Sequence, residues 1–346
     1  MIKIDLITGF LGSGKTSFIK KYAKFLIEQG ERICILENDY GAINIDMVML
    51  NELLGPNCEL EMVVGGDGHE AHRRRFRTKL ISMGMLGYTR VIIEPSGIYD
   101  IDEFFDTLCE SPLDRWYEIG SVISIFDGSR TSALSAEAEY LLMSESACAG
   151  KIVVSKLYEH SSSLGGQLTD DYAGHADSSG ISPESCEDPG AASERIISEL
   201  NRTMEKYSCK RRFSMERDII AKDWESFTHQ DFESIKNAGY FHASHVKLPL
   251  SDNSDFQALF YLGFRTKEED LRERLSKLLQ DTDAGNIIRI KGFMAVSDSE
   301  AFEINATKEA ISLTAMTKHT EDVLIIIGEK LDKNRIAGFF PGAVTV

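Results

Sequence analysis

The sequence predicts an α/β fold: a mainly parallel sheet covered by helices, followed by a smaller α+β domain. Three observations carry this. Over residues 1–158, short runs rich in Ile and Val alternate with longer amphipathic stretches. A glycine-rich loop separates the first apolar run from the first amphipathic one. Beyond about residue 241 the strand-like runs stand closer together, with a single helical stretch among them.

In order, "IKIDLIT", "RICILEN", "ELEMVV", "TRVIIEP", "SVISIFD" and "GKIVVSK" read as strands. The stretch "KTSFIKKYAKFLIEQG" places Phe18, Tyr22, Phe25 and Leu26 on one helical face and stops at Gly30. "DEFFDTL" and "SALSAEAEYLLMSES" also read as helices, whereas "VVGGDGHEAHRRRF" reads as a polar loop. Residues 159–192 are rich in Ser, Gly and Asp and read as a flexible linker. Residues 193–237 look mostly helical and complete the first domain, 1–158. The second domain, 238–346, is read from the strands "FHASHVKLPL", "NIIRIKGFMAV", "AFEINAT", "AISLTAM" and "DVLIIIGEK", with a helix at 267–280.

With 346 residues there is room for two domains. The net charge of −17 disfavours nucleic acid and anionic membranes as partners. Hydrophobic residues make up 42%, and no apolar run nears the ~20 residues of a membrane span. Met1 leads directly into a strand pattern, without a basic-then-apolar leader, so a cytoplasmic protein is expected. The six cysteines are scattered and form no Cys-x-x-Cys pair, as reduced cysteines would.

The most informative stretch is "GFLGSGKTS", Gly9–Ser17, which fits G-x-x-x-x-G-K-[ST] between a strand and a helix. Small residues let backbone N–H groups of Gly12, Ser13 and Gly14 curl around an anion, and the helix start adds its positive end. Lys15 would reach the β- and γ-phosphates, the Thr16 hydroxyl would bind Mg²⁺, and Ser17 follows in the first turn. "VIIEPSG" ends a strand with Glu94, which would hold Mg²⁺ or its water, and Gly97 offers an N–H to a γ-phosphate. "ILENDYGAINID" brings Glu37, Asp39 and Asp46 to another strand end, where ligands of open α/β sheets sit. Lys15, Asp39 and Glu94 are therefore the candidate catalytic groups.

At these residues the chain resembles the CobW-like P-loop GTPases, relatives of the UreG and HypB metallochaperones. "ITGFLGSGKTSF", "ENDYGAINID" and "IIEPSG" align with that family's P-loop, switch and Glu-containing segments. "RIKGF" and "DVLIIIGEKLD" resemble its small C-terminal domain. The resemblance implies a P-loop NTPase that couples hydrolysis of GTP or ATP to delivering a metal or metallocofactor to a client protein. The oligomeric state stays open, a homodimer among the alternatives.

The chain departs from the family in two places. Where the family carries Gly-Cys-x-Cys-Cys, this sequence reads Gly66-Asp67-Gly68-His69-Glu70. Asp67, His69 and Glu70 would replace the three thiolates, with His72 as a further ligand. Such donors suit Zn²⁺, Co²⁺ or Ni²⁺, and the alternative is a lost metal site. Where the family reads guanine with Asn-Lys-x-Asp, this chain has Ser155, Lys156, Leu157 and Tyr158. Lys156 can still lie along a base plane, but no carboxylate is left to accept from guanine, so ATP or relaxed base choice stays open. A P-loop kinase or ligase acting on a small molecule, and a non-catalytic binding module, are the competing readings.

Overall fold

The computed structural model describes residues 1–39, 45–64, 69–95, 101–130, 134–157, 189–244, 246, 256–295, 301–316 and 322–345. The expected γ-phosphate contact Gly97, together with Asp67 and Tyr158, lies outside them, as do the side chains of Asp39 and His69.

The first domain is a seven-stranded parallel sheet. Its strands are β1 (Ile2–Thr8), β2 (Ile33–Asp39), β3 (Cys58–Val64), β4 (Arg90–Pro95), β5 (Tyr117–Asp127), β6 (Lys151–Ser155) and β7 (Ile219–Ile220). They lie in the order β3-β2-β4-β1-β5-β6-β7. The connections carry α1 (Lys15–Glu28), α2 (Ile45–Leu50), α3 (His69–Met83), α4 (Ile101–Leu108), α5 (Leu113–Trp116), α6 (Ala136–Ala147), α7 (Pro189–Lys206), α8 (Met215–Asp218) and α9 (His229–Lys236).

Period-two alternation sorts the strand side chains onto two faces. Ile33, Ile35, Ile92, Ile123 and Ile125 pack with α1 on one side. Cys34, Leu36, Val91, Ile93, Val122 and Phe126 pack with α3, α4, α6 and α7 on the other. Both faces are covered, which is why the strands read as nearly unbroken apolar runs. The predicted face of α1 (Phe18, Tyr22, Phe25 and Leu26) is buried as expected.

One polar group crosses this core. Asp5 on β1 accepts from Arg90 Nη1 at 2.6 and 2.8 Å, from Tyr22 Oη at 2.7 Å and from the Ser121 N–H at 2.8 Å. Burial pushes the Asp5 carboxyl up and the Arg90 guanidinium opposes it.

The second domain is an antiparallel sheet of β8 (Phe256–Leu262), β9 (Asn286–Ala295), β10 (Ala301–Ala306), β11 (Ile311–Met316), β12 (Val323–Glu329) and β13 (Val344–Thr345). The order is β11-β10-β9-β12-β8-β13. Helix α10 (Glu268–Gln280) covers one face through Leu271, Leu275 and Leu278, and α11 (Lys333–Ala337) adds Ile336. The two domains touch: Phe10 meets Phe256 edge-on at 6.2 Å, and the Ser135 hydroxyl donates to Glu329. Among the described residues no helix is long and apolar enough to cross a membrane.

The structure corrects three expectations. Residues 69–83 are helix, not loop: Phe76, Leu80 and Met83 recur at helical spacing and are buried against the sheet. The stretch at 193–237 is mostly helical as expected, and Ile219–Ile220 within it adds β7 beside β6. Helix α7 starts at Pro189, inside the expected linker. Residues 241–244 form no strand; the first strand of the second sheet is β8, whose aromatic-rich "FQALFYL" carried a signal the sequence reading passed over.

Candidate nucleotide site

The loop after β1 turns tightly into α1. Gly14 caps the helix at φ 93°, a left-handed conformation that favours glycine. Within the turn the Ser13 N–H donates to the Phe10 carbonyl at 3.1 Å, and the start of α1 lies at the end of β1, where the helix dipole favours an anion.

Behind them, Lys15 is buried and its Nζ donates to the Gly9 carbonyl at 2.8 Å. Thr16 is also buried, and its hydroxyl donates to Glu94 Oε1 at 3.1 Å. Ser13 is buried within the loop, while Ser17 is exposed. The parallel register of β2 and β4 sets Glu37 opposite Glu94. Two carboxylates, 2% and 6% exposed, thus share one sheet face about 4.8 Å apart in backbone terms. Such a pair beside a threonine hydroxyl fits a hard divalent cation bound through oxygen. Asp39 ends β2 at the same edge.

A cleft of about 410 Å³ opens over the loop. Lys15, Thr16 and Glu94 line its floor, and Lys156 and Trp224 line one side. Lys156 Nζ is ion-paired with Asp127 Oδ2 at 2.7 Å, and Ser155 Oγ donates to the Phe126 carbonyl at 3.2 Å. The Trp224 indole donates to the Val154 carbonyl at 2.8 Å and stands edge-on to Phe18 at 5.7 Å. Trp224 was not foreseen, because it reaches the site only through the short β7.

Glu145 was missed as well. It lies on α6, 2% exposed, and its backbone carbonyl accepts from Thr8 Oγ1 at 2.9 Å. Burial pushes its carboxyl up to about 8, and the nearby Lys15 ammonium opposes the shift. The available signal was an acid inside the otherwise buried run "YLLMSESACA".

The segment expected to bind a transition metal divides at α3. Glu70 is exposed in the first turn, whereas His72 is 1% exposed and falls on the stripe that continues through Phe76 and Leu80. Glu70 and His72, two positions apart, do not share a helix face. Among the described residues no group of three or more His, Cys, Asp or Glu side chains is placed to hold a metal ion.

Comparison with known proteins gives two family matches. Residues 3–171 match the family described as CobW/HypB/UreG, nucleotide-binding domain, and residues 262–343 match the cobalamin synthesis protein cobW C-terminal domain. The zinc chaperone YjiA of Escherichia coli (strain K12) is 27% identical over 140 residues, 36% of this chain and 40% of that protein. The zinc chaperone YeiR of the same organism is 27% identical over 128 residues, 37% of this chain and 38% of that protein. The chain thus spans about two fifths of the length of these curated relatives. Among solved structures, Zn(II)-bound YjiA GTPase from E. coli aligns over 99% of both chains at 15% identity, with a TM-score of 0.38. HypB from Helicobacter pylori in complex with nickel covers 68% of this chain and 84% of its own, at 16% identity and a TM-score of 0.35.

Proposed function

Since the chain belongs to the CobW/HypB/UreG family of nucleotide-binding proteins, we propose that it is a nucleoside triphosphate hydrolase that delivers a metal or metallocofactor to a client protein. The observation that carries the hydrolase reading is the buried contact between Thr16 and Glu94 beside Lys15, at the head of a glycine-capped helix. Gly12 and Gly14 are proposed as backbone donors to the phosphates with Ser13 between them, Lys15 as a cation for the β- and γ-phosphoryl oxygens, and Gly97 as a further N–H. Mg²⁺ held by Thr16 and Glu94 would neutralise charge on those oxygens. Asp39, the last residue of β2, is proposed to orient the attacking water.

Base choice is proposed as relaxed between GTP and ATP. Lys156 is already engaged by Asp127, and Tyr158 supplies no carboxylate for guanine's N–H groups. For the cargo, β3 ends at Val64 at the same sheet edge as β2 and β4, and α3 begins at His69. Asp67, His69 and Glu70 are proposed as the ligands of a Zn²⁺, Co²⁺ or Ni²⁺ cargo ion. A cytoplasmic location fits the five described cysteines, all free thiols.

The test is phosphate release from GTP and ATP with Mg²⁺, with and without the cargo ions, together with calorimetric titration of those ions. Turnover that needs Mg²⁺ and responds to one of the ions supports the reading. Absence of phosphate release from either nucleotide refutes the hydrolase, and equal titrations for wild type and the His69→Ala/Glu70→Ala double variant refute the cargo site.

A further inference from the structure

The cleft over the phosphate loop is not built by the first domain alone. Arg289, Glu303 and Asn305 line it from the second sheet. Along β9 the side chains alternate: Ile290 and Met294 enter the core under α10, and Arg289 stands on the opposite face. That face turns towards the first domain, where Val48 of α2 packs with Phe293 and Ile325.

The Arg289 side chain runs along the loop at Gly12. Its Cδ lies 3.4 Å, and its Nε 3.9 Å, from the point where a Cβ on Gly12 would sit. Gly12 has φ 79°, so the turn calls for glycine, and the Arg289 side chain lies within ordinary contact distance of it. Nε donates to Asn305 Oδ1 at 3.2 Å, which fixes the plane of the guanidinium. Among the described residues the two Nη groups have no hydrogen-bond partner. A half-buried planar cation with free donors, braced beside an anion-binding loop, is the arrangement that recognises a phosphoryl group in a two-pronged manner.

We propose that Arg289 is a ligand of the terminal phosphoryl group of the bound triphosphate, so that the second domain supplies part of the hydrolytic site. This rests on the hydrolase reading given above. In the reaction, water oxygen bonds to the γ-phosphorus while the bond to the β–γ bridging oxygen breaks. The electron pair leaves on the diphosphate, and the water proton ends on the diphosphate or the released phosphate. The Arg289 guanidinium offsets the negative charge that accumulates on these oxygens. Because the contact exists only while a γ-phosphoryl group is present, hydrolysis loosens the hold of β9 on the loop. The second sheet thereby registers whether the nucleotide is a triphosphate or a diphosphate.

The experiment compares wild type, Arg289→Ala and Arg289→Lys. Affinities are measured by titration calorimetry for the imidodiphosphate analogue of GTP or ATP, whichever base wild type holds more tightly, and for the matching diphosphate. Turnover is measured in parallel. Arg289→Ala should lose about tenfold in analogue affinity, the value of one charged hydrogen bond, with diphosphate affinity kept within about twofold. Its kcat should fall about a hundredfold or more, as removal of a transition-state arginine does. Arg289→Lys, which keeps the charge without the fork, should recover part of the analogue affinity. An unchanged analogue-to-diphosphate ratio in Arg289→Ala overturns the proposal, and so does an equal loss of both affinities, which marks a structural role. If wild type releases no phosphate while the ratio still shifts, the hydrolase reading falls and the Arg289 contact stands.

Discussion

The Thr16 hydroxyl donates to Glu94 across 3.1 Å, joining the first turn of α1 to the end of β4. Neither residue can be replaced without disturbing the other. Thr16→Ala leaves the buried Glu94 carboxylate without this donor and removes the oxygen proposed to bind Mg²⁺. Turnover should fall at least about a hundredfold, with a higher Mg²⁺ requirement. Glu94→Gln should lower kcat more than nucleotide affinity, since the amide keeps the shape and loses the charge. Mg²⁺ titrations of steady-state phosphate release would show this; unchanged Mg²⁺ dependence in both variants would remove Thr16 and Glu94 from the cation site.

Lys15→Ala should abolish hydrolysis and weaken triphosphate binding by about tenfold or more, because the buried cation aimed from α1 is lost. Filter binding of radiolabelled triphosphate, compared with diphosphate, is the check. Equal affinities for wild type and variant would count against the phosphate site.

Glu145 makes folding stability depend on pH in a defined direction. Its carboxyl is raised from 4.5 to about 8, so the folded chain holds a proton that the unfolded chain releases. The stabilisation is complete below about pH 4.5 and is lost as pH rises through about 8, at up to ~1.4 kcal/mol per pH unit. Glu145→Gln should be more stable than wild type at pH 8.5, and this advantage should shrink by pH 5.5. Urea denaturation at both values would decide it, a pH-independent difference being the contrary result.

Arg90 and Asp5 test the core rather than the site. Replacing Arg90 with Met leaves a buried carboxylate with one fewer partner and should cost about 3–5 kcal/mol of stability. The measurement is the denaturation midpoint at constant m-value. A cost below about 1 kcal/mol would mean that water enters to replace the guanidinium.

ATP and GTP should bind within about tenfold of each other, and Tyr158→Asp should shift the preference towards GTP. Competition titration with both nucleotides is the readout. A strong GTP preference in wild type would assign base reading to another group, with Asp223 beside Trp224 at the cleft the first to mutate.

By itself the sequence determined what short-range patterns encode. The glycine spacing of the loop, the β-branched strand runs and the face of α1 depend on neighbours within a few positions, so the parallel sheet and the glycine-capped turn into α1 were legible there. The tertiary structure decided which distant residues meet. Strand register set Glu37 opposite Glu94, and the two-residue β7 brought Trp224 to the cleft. Packing of α6 placed Glu145 behind the loop, and β9 carried Arg289 from the second sheet to Gly12. The helix at His69–Met83 turned His72 into the core, a choice that a polar-looking string of residues conceals. The physical reason is common to all of these. Burial and side-chain direction follow from the surface each element packs against, and that surface is made of residues far away in the chain.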